Sequence, residues 1–209
     1  MEPITQLEGV AASLMINDVD TDQIIPGKDL MKVEKTGFEK GLFANWRFLP
    51  DGAPDPDFIL NKPPFNDATF LVSGSNFGCG SSRASAVWAL RDFGIRCVVA
   101  SSFGSIFQSN CHVSGVLPVV LPEDQVQAIV ADLAIAPRLQ VDLESCTLVS
   151  ARRTYTFYVP KLAREMLLSG KDPISVTLNR DALIRDFQDV DRQRRPWVYD
   201  IVEKAEQGA

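Results

Sequence analysis

The stretch Gly74-Ser75-Asn76-Phe77-Gly78-Cys79-Gly80-Ser81-Ser82-Arg83 decides how the chain is organised. The residues before it, 68–73, form an apolar run typical of a buried strand. Residues 82–93 have helical spacing and end before Gly94, which predicts a helix that stops there. Three glycines allow a tight turn between the two elements, because glycine tolerates backbone angles that other residues avoid.

Strand and helix patterns continue to alternate after this turn. We predict strands over 95–100 and 116–121 and helices over 102–110 and 122–133. This alternation predicts an α/β fold with a mostly parallel central sheet and right-handed crossovers. Outside it we predict a strand over 5–16, a β-hairpin over 138–159 and helices near 160–169 and 181–192.

A long irregular stretch spans residues 27–66, which are rich in Gly, Pro and aromatic residues and show little periodicity. A structured segment of this length usually covers or binds something. The aromatic residues Phe38, Phe43 and Trp46 fit two interpretations. They could form part of a mobile cover over a ligand, or they could pack into a small core of their own.

Composition excludes several classes of protein. The chain has 209 residues, a net charge of −6 and one His. A single His excludes sites that need two or three histidines, and the acidic balance argues against binding nucleic acid. The sequence starts without the basic and apolar regions of a signal peptide, and no apolar run approaches the roughly 18 residues of a membrane span. We therefore expect a cytoplasmic protein.

The four cysteines, at positions 79, 97, 111 and 146, form no Cys-x-x-Cys pair. They could hold an iron–sulfur cluster only if the fold gathered them, and their spacing matches none of the usual patterns. Disulfides are not expected without a secretory signal. We therefore expect no metal bound by this chain.

The glycine-rich turn predicts a site for an anion. A helix N-terminus offers unpaired N–H groups, and Ser81, Ser82 and Arg83 add two hydroxyls and a guanidinium. A Walker loop would need Lys, and a dinucleotide fingerprint would need Gly where Arg83 stands, so a carboxylate fits best. The alternative is a capped helix, with Ser81 or Ser82 as the N-cap and Arg83 paired with a surface acid.

A second alternative makes Cys79 a nucleophile. It lies close to a helix N-terminus, which lowers a thiol pKa, and His112 could act as its base. The sequence does not show that the two residues meet.

The acidic loop Asp18-Val19-Asp20-Thr21-Asp22 resembles the start of an EF-hand, with Asp29 at position 12. Position 6 of such a loop must be Gly and is Gln23, and a strand precedes the loop where a helix is required. Two interpretations stay open. The acids cap backbone N–H groups, or the loop belongs to an active site.

Several motifs in order resemble the small subunits of 3-isopropylmalate dehydratase, a family of the aconitase superfamily. Residues 18–26, Asp-Val-Asp-Thr-Asp-Gln-Ile-Ile-Pro, match the family's first loop, and residues 76–83, Asn-Phe-Gly-Cys-Gly-Ser-Ser-Arg, match its signature. Further matches are Thr36-Gly37-Phe38, residues 42–47 and Arg195-Pro196-Trp197. The resemblance covers roughly residues 5–198.

The resemblance implies a swivelling β/β/α domain over residues 1–198. The residues after it, 199–209, are expected from the sequence itself to form a solvated tail. It implies a hydro-lyase that isomerises 2-isopropylmalate to 3-isopropylmalate, in leucine biosynthesis, by removing and re-adding water. The partner would be a large subunit that carries a [4Fe-4S] cluster, and the substrate a small dicarboxylate. Nucleic acid and membrane are not implied.

The resemblance also assigns roles to residues. Ser81 would be the base that takes the carbon-bound proton, and Ser82 and Arg83 would hold a substrate carboxylate. Other substrate-binding positions would be Gly80, Cys79, Asn76 and Thr36. Asp20, Thr21 and Asp22 would form a supporting loop, and residues 29–38 would face the variable part of the substrate.

The chain departs from the family directly after the signature. The family continues Ser-Ser-Arg-Glu-His-Ala-Pro, whereas this chain has Ala84, Ser85 and Val87 at the Glu, His and Pro positions. The departures leave two alternatives to an isopropylmalate enzyme. One is a paralogue for another 2-hydroxy dicarboxylate, of methylmalate or citramalate type. The other is a non-catalytic regulatory subunit with the same fold.

Overall fold

A computed structural model describes residues 1–27 and 36–199. Its contacts divide the chain into two compact units, Met1–Lys171 and the residues from Asp172 onward. The prediction of one domain over residues 1–198 stays a prediction. In the part of the chain that is described, no helix combines the length and apolar character that crossing a membrane requires.

A seven-stranded sheet forms the centre of the first unit. In chain order, its strands are β1 (Gln6–Leu14), β2 (Phe70–Ser73), β3 (Cys97–Ala100), β4 (Leu117–Val120), β5 (Arg138–Asp142), β6 (Thr147–Val149) and β7 (Thr154–Thr156). Their spatial order is β4-β3-β2-β1-β5-β6-β7. Strands β1 to β4 are mutually parallel, and β5 to β7 continue the sheet antiparallel from β1. The predicted α/β class and parallel centre are confirmed.

In the first unit the α-helices are α1 (Thr21–Ile24), α2 (Ala44–Arg47), α3 (Ala84–Phe93), α4 (Ser105–Ser114), α5 (Glu123–Leu133) and α6 (Lys161–Ser169). The second unit contains α7 (Pro173–Leu178) and α8 (Asp181–Arg194), and residues 196–199 are also helical. Helices α3 and α4 contact each other, and α5 contacts β1, β2 and β3. Strands β2 and β3 are buried along their whole length, which explains why their sequences are largely apolar, as is usual for parallel strands.

Three details differ from the sequence predictions. The loop after β1 contains the short helix α1, since Asp20 and Gln23 cap each other and start a turn of helix. The predicted hairpin over 138–159 has a third strand, β6, between its two arms. The helix α7 was not predicted; it begins with Pro173, and its N-cap Asp172 accepts a hydrogen bond from Ser175 N at 2.6 Å.

The aromatic residues of the irregular stretch belong to the main core. Phe38 and Phe43 are buried, and Trp46 stacks on Phe43 with ring centroids 5.7 Å apart. The three residues therefore pack, as one interpretation predicted, but they pack into the main core and not into a small core of their own. Two short 3₁₀ turns, Ile59–Asn61 and Phe65–Asp67, complete the stretch before β2.

In the second unit, α8 carries one buried acid, Asp191. Its carboxylate accepts hydrogen bonds from Arg195 Nε at 2.7 Å and Nη2 at 2.8 Å, and from the Tyr199 hydroxyl at 3.0 Å. The guanidinium and the hydroxyl hold the pKa of this carboxyl below its usual range. The predicted tail from residue 199 lies outside the described residues except for Tyr199.

A cluster of three phenylalanines lies beneath the glycine-rich turn. Phe77 meets Phe107 edge to face at 5.4 Å and Phe103 at 6.3 Å. Gly78 has a left-handed φ of 73°, and a Cβ there would lie 2.2 Å from Phe107 Cγ. Glycine is therefore required at this position for both its conformation and its close contact with the ring.

We predict that Gly78→Ala destabilises the protein by about 2–5 kcal/mol. The methyl group adds an overpacking cost of about 1–3 kcal/mol to a left-handed backbone cost of about 1–2 kcal/mol. Urea unfolding monitored by circular dichroism measures the change. Gly52→Ala is the matched control, because Gly52 has a φ of 85° but a Cβ there meets nothing within 4 Å. Equal losses in the two variants would contradict the packing argument.

Candidate functional site

The candidate site forms where the glycine-rich turn pairs with the loop that leads into α1. Gly78 N donates to Val19 O at 2.7 Å, and Thr21 N donates to Cys79 O at 2.9 Å. Asp20 and Cys79 form an isolated parallel bridge. The two segments are far apart in the sequence, and these backbone hydrogen bonds hold them side by side at the carboxyl ends of β1 and β2.

A second set of contacts fixes the base of the turn. Asn76, with a left-handed φ of 56°, donates from Nδ2 to Asp18 Oδ1 at 2.8 Å. Its backbone N donates to Ser102 Oγ at 2.8 Å, and Ser75 N donates to Asn17 Oδ1 at 2.9 Å. The Asn76 side-chain amide therefore helps to hold the turn against the loop before α1. Its predicted contact with substrate stays a prediction.

Ser81 lies where the turn passes over Thr21. Ser81 N donates to Thr21 Oγ1 at 3.2 Å, and the two side-chain oxygens are 3.3 Å apart. Gly80 directly precedes Ser81 and has a φ of 92°, a left-handed backbone angle that favours glycine. Both Ser81 and Ser82 are exposed, so a ligand can reach them.

Arg83 forms a bidentate ion pair with Asp22. Nη1 donates to Oδ1, and Nη2 donates to Oδ2 at 3.1 Å. These hydrogen bonds raise the pKa of the guanidinium, so Arg83 stays charged. The alternative interpretation predicted that Arg83 pairs with a surface acid, and this part of it is correct. Asp22 occupies the edge between the two terminal nitrogens, and a second carboxylate would bind along the Nε edge.

Helix α3 begins two residues later than predicted. Its N-cap is Arg83, and no side chain caps the helix start, so the prediction of Ser81 or Ser82 as the N-cap is wrong. The first turn contains no acidic residue, and Ala84 and Ser85 there are half-buried. The first N–H groups of α3 thus add positive potential next to the two exposed serines.

Asp20 caps the start of α1, which is one of the two interpretations of the acidic loop. Its carboxylate accepts a hydrogen bond from Gln23 N at 2.8 Å, and Gln23 Oε1 accepts one from Asp20 N at 2.8 Å. This is the capping interpretation of that residue. No group of three or more His, Cys, Asp or Glu side chains within residues 1–27 and 36–199 could hold a metal ion. Asp29 of the calcium alternative lies outside the described residues.

The environment of Cys79 does not favour a nucleophilic thiolate. Partial burial raises the thiol pKa, and the nearby carboxylates of Asp20 and Asp18 raise it further. Burial lowers the pKa of His112, which is half-buried on α4. A cysteine hydrolase needs a lowered thiol pKa, so this alternative loses its physical basis.

The cysteines do not fit an iron–sulfur cluster. Cys97 on β3 and Cys111 on α4 are completely buried, and burial raises the pKa of both thiols. Cys79 and Cys146 lie in different turns and are half-buried. Cluster ligation requires accessible thiolates gathered around one point, and the donors of this chain are not arranged in that way.

Thr36 is exposed and directly follows residues 28–35, which lie outside the described residues. Its contact with substrate therefore stays a prediction, as does the role of residues 29–38. The structure does bring together the other predicted site residues, namely Asn76, Cys79, Gly80, Ser81, Ser82, Arg83, Asp20, Thr21 and Asp22.

Known proteins share this arrangement of sequence and fold. The family model of the aconitase C-terminal domain matches residues 1–124. A 3-isopropylmalate dehydratase small subunit from Cupriavidus necator is 50% identical over 205 residues, covering 95% of this chain and 99% of that protein. This chain belongs to the 3-isopropylmalate dehydratase small subunit family. The family predicted from the sequence motifs is therefore confirmed.

Two further relatives agree. The small subunit from Agrobacterium fabrum is 44% identical and covers 94% of this chain and all of that protein. The crystal structure of a 3-isopropylmalate dehydratase from Methanocaldococcus jannaschii has a TM-score of 0.63 and 27% identity, covering 88% of this chain and 99% of the other. The predicted aconitase-type fold is confirmed.

Sequence reasoning missed two contacts of the site. It grouped Thr21 with the acidic loop but did not place its hydroxyl on Ser81, and it did not pair Asp22 with Arg83. Asp20 caps α1, whereas Thr21 and Asp22 reach across to the turn.

We predict that Cys79 reacts slowly with iodoacetamide. Because its pKa is raised, a smaller fraction is thiolate than in glutathione at equal pH, and its rate should keep rising with pH after that of glutathione levels off. The experiment uses a Cys146→Ser variant, which removes the other half-buried thiol, and follows the alkylation of Cys79 by peptide mass spectrometry. Asp20→Asn, which can still cap α1, should speed the reaction by removing one carboxylate. A rate above that of glutathione near neutral pH would contradict the prediction.

Proposed function

We propose that this chain is the small subunit of a hydro-lyase that converts 2-isopropylmalate to 3-isopropylmalate by dehydration and rehydration, in leucine biosynthesis. The observation that carries the proposal is the similarity, over nearly the whole chain, to proteins named 3-isopropylmalate dehydratase small subunits, two of which are 50% and 44% identical. The proposal includes a large-subunit partner and a cytoplasmic location.

The turn suits a substrate carboxylate. The exposed Ser82 hydroxyl, the start of α3 and the charged Arg83 all lie within three residues of one another. In the proposal, a carboxylate binds the Nε edge of Arg83 and accepts hydrogen bonds from Ser82 and from the backbone at the helix start. Charge-assisted hydrogen bonds of this kind are roughly twice as strong as neutral ones.

In the proposal, Ser81 is the base of the reaction. Its Oγ takes the carbon-bound proton, the electron pair of that bond becomes the new double bond, and the hydroxyl leaves the neighbouring carbon with its own bonding pair. Rehydration on the other carbon reverses these movements. A serine hydroxyl is a weak base, so it needs positive potential and hydrogen-bond donors around the deprotonated oxygen.

The metal chemistry is proposed to belong to the partner. A [4Fe-4S] cluster on the large subunit would supply a Lewis acid for the departing hydroxyl, since the cysteines of this chain do not fit such a cluster. The small subunit would supply the serine base and the carboxylate contacts.

The first turn of α3 supports a second candidate function. Ala84 and Ser85 stand where the family motif has Glu and His, directly beside Arg83. These changes fit a hydro-lyase subunit for another 2-hydroxy dicarboxylate, of methylmalate or citramalate type. A non-catalytic regulatory subunit remains the alternative, and the exposed Ser81 and Ser82 speak against it.

Co-expression with the large subunit of the same cell tests the proposal. After anaerobic cluster reconstitution, we expect ultraviolet absorbance to report interconversion of isopropylmalate through an unsaturated dicarboxylate. Faster turnover of citramalate would select the second candidate. A stable complex with an intact cluster and no turnover of any of these substrates would overturn both enzymatic functions.

We predict that Ser81→Ala abolishes turnover, by about 10³-fold or more, while the complex with the large subunit still forms. The side chain is exposed, so its loss should leave folding unchanged. Steady-state kinetics and size-exclusion chromatography measure the two properties. Ser75→Ala is the control from the same turn, because the contacts of Ser75 with Asn17 and Asp18 use its backbone. Substantial activity in Ser81→Ala would overturn the assignment of the base.

A further inference from the structure

Thr21 brings a buried hydroxyl to three atoms of Ser81. The residue is 1% exposed. Thr21 Oγ1 lies 3.2 Å from Ser81 N, 3.3 Å from Ser81 Oγ and 3.4 Å from Ser81 O. It thus contacts the backbone on both sides of the serine as well as its reactive oxygen.

Counting protons limits what this hydroxyl can do. It has one proton and two lone pairs, and one lone pair accepts the Ser81 N–H. Its proton can therefore go to Ser81 Oγ or to Ser81 O, but not to both. A deprotonated Oγ attracts this proton, whereas a protonated Oγ can supply its own and let the threonine hydroxyl turn to the carbonyl.

The position of Thr21 is fixed independently of its side chain. Thr21 N donates to Cys79 O at 2.9 Å, and Thr21 O accepts from Ile25 N at 3.0 Å. As a β-branched residue, threonine also has a restricted χ1 angle. The hydroxyl is therefore held in place before any substrate binds, which is what preorganised catalysis requires.

We propose that Thr21 is the positioning residue for Ser81. It holds the serine backbone in place and donates a hydrogen bond to Ser81 Oγ when that oxygen is deprotonated and ready to accept the substrate proton. The threonine proton is shared but not transferred: the proton removed from carbon ends on Ser81 Oγ. The inference rests on the proposed function and deepens it.

The two carboxylates next to Thr21 in the sequence have other hydrogen-bond partners, so the hydrogen bond to Ser81 comes from an uncharged hydroxyl. The Asp20 carboxylate accepts from Gln23 N, and Asp22 is paired with Arg83. The titratable and charged side chains on the elements packed against α1 are those of Asp18, Cys79, Arg83, Arg47 on α2, and Arg91 and Asp92 on α3. Within the described residues, Thr21 is the hydroxyl hydrogen-bonded to the predicted base.

The test compares Thr21→Val with Thr21→Ser in the reconstituted complex. Valine keeps the shape and removes the donor, so we expect kcat to fall by at least about tenfold with little change in KM. The pH at which kcat/KM rises should increase by about one unit, because Ser81 without the threonine donor is harder to deprotonate. Thr21→Ser should restore both. An unmoved limb, or a serine variant that behaves like valine, would overturn the proposal.

A second measurement works on the chain alone. In Ser81→Cys, the pH dependence of alkylation of the new thiol, followed by peptide mass spectrometry, reports its pKa. Adding Thr21→Val should raise that pKa, and adding Thr21→Ser should not. Identical titrations in all three chains would overturn the proposal even if Thr21→Val weakened folding in the complex.

The outcomes separate this inference from the function it rests on. An inactive wild-type complex would sink the proposed function. A wild-type complex that is active, loses activity in Ser81→Ala and is unchanged in Thr21→Val would sink only the role of Thr21.

Discussion

Backbone pairing between the glycine-rich turn and the loop before α1 is the contact on which the site depends. Two hydrogen bonds, from Gly78 N to Val19 O and from Thr21 N to Cys79 O, join segments about 60 residues apart in the sequence. Backbone hydrogen bonds require no particular side chain, so they leave the side chains of both segments available. Every specific contact of the site, including that between Thr21 and Ser81, follows from this alignment.

The same pairing explains why glycine recurs in the turn. At Gly78 the chain passes directly over the Phe107 ring, and at Gly80 it curls over Asp20 and Thr21. Both positions have positive φ angles. A side chain at Gly78 would clash with the Phe107 ring, and one at Gly80 would strain the left-handed backbone of the turn. The two glycines thus allow the backbone conformation of the turn, and the turn packs against the closely packed aromatic cluster.

The sequence predicted the parts of the structure that depend on local patterns. Buried runs such as 68–73 and helix stops such as Gly94 predicted the parallel half of the sheet and its helices, because burial on both faces leaves an apolar run. It could not place Thr21 against Ser81 or Asp22 against Arg83, because both contacts arise from tertiary pairing. It also missed α7, since six residues carry too little periodicity.

The start of α3 links the departures from the family to the chemistry of the site. A glutamate at position 84 would compete with Asp22 for Arg83 and would oppose the binding of an anion at the helix start. With Ala84 and Ser85 there, Asp22 is the acid that holds Arg83, and the first turn carries no negative charge. No acid in that turn offsets the positive end of α3, which would favour the deprotonated serine and the bound carboxylate of the proposed function. On electrostatic grounds, the changes in this turn are compatible with catalysis.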